Sequence, residues 1–482
     1  MTSKSSQARS PGTIDVHDDI SLPPQSPQHG GESWDDFEMD FDEEEHELLG
    51  LNASEGEFSG PVPRPPERAE STVWDATFNF TNSIVGAGII GLPYSFYQAG
   101  FISGVALLFA LTYVVDWTVN LLIKDAKMAG TNSYQDLQCV VGDSPLDVHE
   151  FVLIRSKHPA YAVIVGDTLP LVLSHVVSPT NFLYPILSSR RVMITLCTLF
   201  VSLPLSLFRD VSALAKTSAV SLAAIVFIIV AVLVAGPGLP ADQKGAAEAI
   251  SVLRPGLFQA IGVISFAFVC HHNTFLIYGS LKKPTMDRFA VVTRLSTGLS
   301  LLSCLILACG GYLVFTNKTH ANILNNFPPD HVLINIARVA FGANMFLTFP
   351  LECFVCREVI YNYVWAHPSA PDSISHLEVN NAVDTKTHVA ITAGLSLSAM
   401  GIALATCDLG FLLELTGGFA ATVLAYILPA ACYIKLASGP TLSWKKAGPL
   451  ACIAFGGIVM VLSTFLTISS LFEEGEKKQC VG

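Results

Sequence analysis

Asn79-Phe80-Thr81-Asn82-Ser83-Ile84-Val85-Gly86-Ala87-Gly88-Ile89-Ile90-Gly91-Leu92-Pro93 lies within an apolar run spanning residues 73–98. A run of that length suits a helix crossing the roughly 30 Å hydrocarbon layer of a bilayer. Yet three glycines and a proline fall inside it. Each glycine weakens a helix, and proline removes a backbone donor and clashes with the preceding turn. In lipid, the groups so freed need protein, water or a bound solute as partner. An unwound stretch at mid-membrane presents the amide end of a half-helix, which attracts an anion such as a carboxylate. Free carbonyls on the other half can hold an ammonium group or a small cation. The competing explanation is a close helix–helix contact through small residues. Asn82, Ser83 and Pro93 add polarity and a break, and they favour a binding site.

Composition places the rest of the chain in the same solvent. Of 482 residues, 51% are hydrophobic and only 14% charged, with a mean hydropathy of +0.50. A soluble protein is nearer a quarter charged, so a water-soluble enzyme is excluded. Long apolar runs recur at about 73–98, 101–124, 158–177, 190–208, 212–236, 256–279, 288–315, 331–352, 386–406, 409–436 and 449–472. Only helices satisfy all their backbone groups in lipid without a closed barrel. The expected fold is therefore an all-α integral membrane protein with about eleven transmembrane helices.

The net charge of −13 belongs to the N-terminal region, because residues 1–70 carry 17 acidic and 4 basic side chains. The remainder is neutral, which leaves no basic patch for nucleic acid. Residues 1–70 read as a disordered acidic cytosolic tail, 71–472 as the membrane domain, and 473–482 as a short C-terminal tail. Most of the eleven cysteines lie in apolar segments. Cys353 and Cys356 lack a second pair or a His partner at zinc spacing, so they read as packing and no metal is expected. With a cytosolic N-terminus, inner loops hold fifteen Lys and Arg and outer loops seven, Lys157 being counted with the inner loops. The sequon at Asn317 then falls in an outer loop, as glycosylation requires.

A second anomaly sits in the sixth span: Phe266-Ala267-Phe268-Val269-Cys270-His271-His272-Asn273-Thr274. Ionisable groups inside a membrane are costly and mark substrate or proton paths, and His titrates near physiological pH. The competing explanation is a neutral His bonded to a helix carbonyl. Adjacent His residues point about 100° apart, so they do not chelate a metal together. Other intramembrane charges are Asp116, Asp167, Arg338, Glu352 and Glu414. Glu352 sits near the inner end of the eighth span, where a gate or charge pair competes evenly with a solvated helix end.

These residues carry a resemblance. The Gly-Ala-Gly-Ile-Ile-Gly-Leu-Pro core resembles the first helix of the amino acid/auxin permease family. The Phe-Val-Cys-His-His-Asn run and Leu347-Thr348-Phe349-Pro350-Leu351-Glu352-Cys353 are similar to that family's sixth and eighth helices. Within that family the chain resembles the fungal vacuolar amino acid transporters, a branch near the sodium-coupled neutral amino acid transporters of animals. The resemblance implies an inverted five-plus-five repeat with broken helices one and six and a zwitterionic amino acid held between them. It implies coupling to H⁺ or Na⁺ and no other cofactor. On this pattern the backbone of Gly86, Ala87, Gly88 and Ile89 takes the substrate carboxylate, and Asn82 contacts substrate or ion. Cys270, His271, His272 and Asn273 close the opposite side of the pocket. Thr348 supplies a cation-site hydroxyl, with His271 a further coupling candidate. For Thr348 the alternative is a bond within its own helix.

The third span departs from the pattern. After Gly142 come Asp143-Ser144-Pro145-Leu146-Asp147-Val148-His149-Glu150 and Arg155-Ser156-Lys157-His158-Pro159. Apolar character resumes only near Tyr161, so residues 143–160 are atypical and the span reads as truncated. Either a short helix is shielded by its neighbours, or the coding sequence retains an intron or lacks an exon; the second is favoured.

The functional expectation is a secondary active transporter of neutral amino acids, working by alternating access in the vacuolar or lysosomal membrane and coupled to protons. A sodium-coupled plasma-membrane transporter is the alternative. So is an amino acid sensor that signals through its tail. The run Glu44-Glu45-His46-Glu47-Leu48-Leu49 looks like an acidic dileucine sorting signal read by a clathrin adaptor, with Glu44, Leu48 and Leu49 as its elements. The partners expected are thus an amino acid, the lipid bilayer and that adaptor. No zinc-protease, aspartyl-protease or phosphate-loop motif is present, so no enzyme is expected.

Overall fold

The computed structural model describes residues 71–141, 147–209, 218–245, 250–365, 384–406 and 408–474. The sorting motif at Glu44, Leu48 and Leu49, and both tails apart from Glu473 and Glu474, lie outside the described residues. The longer helices are α1 (Val73–Ile84), α2 (Leu92–Ala99), α3 (Phe101–Ala129), α4 (Tyr134–Val141), α5 (Asp147–Val176), α6 (Arg190–Cys197) and α7 (Ser218–Ala235). They continue with α8 (Leu257–Phe268), α9 (Thr274–Ser280), α10 (Met286–Phe315), α11 (Val332–Trp365) and α12 (Thr385–Ala405). The last three are α13 (Leu409–Leu415), α14 (Leu428–Leu436) and α15 (Ala447–Glu474). No sheet forms among the described residues; one isolated bridge pairs Ser71 with Leu281.

Local chemistry sets the helix ends. Thr72 caps α1 through a reciprocal box: Asp75 N donates to its hydroxyl at 3.2 Å, and Thr72 N donates to the Asp75 carboxylate at 3.2 Å. Thr285 caps α10, and Asp408 accepts from Gly410 N at the start of α13. Gly130 ends α3 in the left-handed conformation, φ 71°, where a side chain would be strained.

Among the described residues, eight helical runs are long and apolar enough to cross a membrane: Phe101–Ala129, Lys157–Val176, Leu257–Ser280, Met286–Lys318, Val332–Tyr361, Thr385–Ala405, Leu409–Leu436 and Trp444–Ser470. Val220–Ala235 is apolar but shorter. The expected first span is present as an interrupted segment, and the expected fourth as a helical run over 190–206 with a π turn at Thr198–Ser202. The fold is an all-helical membrane protein. Leu257–Ser280 and Leu409–Leu436 are the most enclosed runs, whereas Trp444–Ser470 is mostly exposed. Tyr113, Phe200, Leu302, Val461 and Phe465 point outward; on a soluble protein such faces would be a liability, and in lipid they are solvated.

The third span corrects the sequence reading. It is not truncated: α5 runs unbroken for 30 residues with Pro159 and Pro170 inside it, about 45 Å of helix. Hydropathy counts the polarity of Lys157 and His158 but not their partners. Both are buried, against the α11 helix alongside, so neither faces lipid. Asp167 is likewise satisfied internally, accepting from Arg190 Nε at 2.6 Å.

Candidate functional site

Both anomalous segments are broken helices. In the first span the α1 ladder ends where Val85 N donates to Thr81 O at 2.8 Å. Gly86 then turns the chain, a 3₁₀ segment covers Ala87–Gly91, and α2 restarts with Pro93 in its first turn. Proline fits there because the first-turn amides lack helical acceptors anyway. In the sixth span α8 stops at Phe268. Val269 is extended, His271–Asn273 form a 3₁₀ turn, and α9 follows.

The two breaks meet. Asn273 Nδ2 donates to Ser83 Oγ at 2.7 Å, which ties the second break to the first. Gly88 approaches α8 so closely that a Cβ on it would lie 2.5 Å from the Ala267 Cα. That glycine serves helix contact. Gly86 differs: a Cβ there meets nothing within 4 Å. Asn82, Ser83 and Gly86 are partly exposed, while Ala87, Gly88 and Ile89 are buried. Glycines in one motif thus do two jobs, one of packing and one of leaving space.

His271 and His272 point to different partners, as their offset requires. His271 Nε2 lies 3.0 Å from Thr118 Oγ1 of α3, so the ring links the break to a neighbouring helix. His272 Nε2 lies 3.4 Å from Glu352 Oε1 of α11 and 3.2 Å from Asn273 Nδ2. The Nδ1 atoms of both rings, and Glu352 Oε2, are buried without a hydrogen-bond partner. Cys270 is a buried free thiol.

Lys157 of α5 completes the cluster. Its Nζ stands 3.9 Å from Glu352 Oε1 and 3.4 Å from the Val269 carbonyl, the acceptor that the break leaves outside the helical ladder. Glu352 is therefore a buried ion-pair partner, which removes the solvated-end explanation. Lys157, counted among inner-loop charges in the sequence, is a core residue, so it drops out of the charge count that oriented the chain. Composition alone hides this role, because a lysine in a polar stretch is ordinarily a loop lysine. The usable signal was that Lys157 and Glu352 bear opposite charges in two spans whose apolar faces pack together.

Thr348 donates to Asn344 O at 2.9 Å within α11, the local bond weighed against a cation role. Asn317 is exposed in a 3₁₀ turn after α10 and accepts from Thr316 Oγ1 at 3.2 Å. Arg338 donates to the Leu324 and Phe327 carbonyls and caps an extramembrane turn. Glu414 accepts from Gln98 and from Thr467, joining α13 to α2 and α15. A small cleft lies between α5, α6 and α11, about one helical turn from Lys157 and Glu352, lined by Tyr161, Ile194, Met345 and Phe349 among others. It is largely apolar and lacks the paired polar ends found at the breaks.

Comparison with known proteins agrees with this architecture. Residues 69–469 match the family model described as transmembrane amino acid transporter protein. The chain is 36% identical over 418 residues to vacuolar amino acid transporter 2 of Saccharomyces cerevisiae, covering 85% of this chain and 86% of the relative. It is 36% identical over 401 residues to putative sodium-coupled neutral amino acid transporter 11 of Bos taurus, covering 82% and 83%. The Danio rerio protein of the same name is 37% identical over 411 residues, covering 83% and 86%. These relatives bear transporter names. The chain belongs to the transmembrane amino acid transporter family.

Proposed function

We propose that this protein is a secondary active transporter that moves neutral amino acids across the vacuolar or lysosomal membrane, coupled to protons. The observation that carries the reading is the Asn273–Ser83 bond, which ties the two interrupted helices to each other at their breaks. The amide end of the Ala87–Gly91 turn suits a carboxylate, and the space beside Gly86 gives it access. The broken end of α8 offers carbonyl oxygen to an ammonium group. A zwitterion thus matches both ends without adding net charge to a low-dielectric region. Alternating access follows if the bundle holding α1, α2, α8 and α9 rocks against the remainder, with substrate favouring the closed form.

The vacuolar assignment draws on the yeast relative's name. Proton coupling draws on the paired histidines, and the sodium alternative on the animal relatives' names. The test is uptake into proteoliposomes under opposed pH gradients, with and without sodium. Flux following the pH gradient supports the proposal. Flux that tracks sodium and ignores pH contradicts the coupling. Replacing Leu48 and Leu49 by Ala is expected to send the protein to the plasma membrane through loss of an adaptor contact; unchanged localisation contradicts the sorting signal.

A further inference from the structure

The cluster at the sixth-span break contains a cation of the protein's own. Lys157 is 4% exposed, Glu352 7% and His272 6%, so water does not screen them. Lys157 Nζ reaches both the Val269 carbonyl and the Glu352 carboxylate. These two acceptors are of the kind a substrate's cationic group would seek. With neutral histidines the Lys157–Glu352 pair is neutral in sum. Asp116 of α3 also lies near Cys270, but it has Thr293 and the opposite charge of Arg294 on α10 beside it. A zwitterion entering beside this pair leaves the site neutral. A lysine or arginine substrate would bring a second positive charge against Lys157 where burial makes charge repulsion strong.

We propose that Lys157 is a specificity-determining residue: its resident ammonium excludes cationic amino acids, and its removal leaves Glu352 free to accept the side-chain cation of lysine or arginine. The inference rests on the reading of a neutral amino acid bound between the breaks. Charge, rather than space, is the selective element. The site's charge then predicts three variants. Lys157→Gln carries −1 and admits lysine. Glu352→Gln carries +1 and does not. The double substitution restores neutrality and with it the wild-type preference.

The test is counterflow of tritiated L-leucine, L-glutamine and L-alanine in proteoliposomes of the full chain, with unlabelled L-lysine as competitor and then as labelled substrate. In wild type, lysine is expected to compete at least about tenfold more weakly than the best neutral probe. Lys157→Gln raises the lysine-to-neutral flux ratio at least about tenfold, and the double variant returns that ratio to the wild-type value. Lysine competing on equal terms in wild type overturns the proposal. So does a double variant that gains lysine as strongly as Lys157→Gln, since vacated space would then be the cause. A folded Lys157→Gln that still excludes lysine also overturns it. Should Lys157→Gln fail to fold, with Glu352 left unpaired, the wild-type competition and the double variant still decide. Wild type carrying none of the neutral probes instead defeats the transport reading itself.

Discussion

Single atoms decide what the two breaks can do. The Gly88→Ala substitution places a methyl against the Ala267 backbone, and overpacking of this kind costs about 1–3 kcal/mol. Its melting temperature in detergent should fall, whereas Gly86→Ala, with open space around it, should retain more stability yet lose counterflow because the methyl enters the substrate's space. Equal melting temperatures for the two would contradict the division of labour between these glycines. The Ser83–Asn273 bond is the second residue-scale test. In a double-mutant cycle with alanine at each position, the coupling should be about 1 kcal/mol in substrate binding. A coupling near zero would mean that the breaks do not act together.

Helices show what the sequence could and could not reveal. The interruptions in spans one and six were legible because Gly86, Gly88, Gly91 and Pro93, and the polar run His271–Asn273, violate helix and lipid preferences together. The third span misled, because hydropathy records that Lys157, His158 and Asp167 are polar without recording that other helices answer them. Thr348 donates its hydroxyl proton within its own helix, which leaves the oxygen lone pairs for the cation role the resemblance implies. Cross-helix partners are facts of packing, and no window along the chain contains both members. Arg190 shows how strongly α5 relies on such partners: it donates to Asp167 and to the Ala403 and Thr406 carbonyls, joining α5 and α6 to the end of α12. The Arg190–Asp167 pair retains 13% and 14% exposure, so Arg190→Met should cost less than a fully buried pair, roughly 2 kcal/mol. Thermal unfolding of the purified variant checks this, and an unchanged midpoint would show that the staple adds nothing.

At the scale of the molecule, orientation and substrate position can both be measured. With the proposed cytosolic N-terminus, the exposed Asn317 side chain would face away from the cytosol, where it can be glycosylated. Removing it as Asn317→Gln should abolish a glycosidase-sensitive mobility shift; a wild-type chain without such a shift would count against that orientation. The proposed transport requires that the two helix breaks grip one small zwitterion between them. A cryo-EM map of the purified transporter saturated with its best neutral substrate tests it most directly. Amino acid density is expected between Gly86–Ile89 and Cys270–Asn273, with the carboxylate on the Ala87–Gly91 turn. Density lodged instead in the apolar cleft beside Tyr161 and Phe349, with the breaks healed into continuous helices, would contradict it.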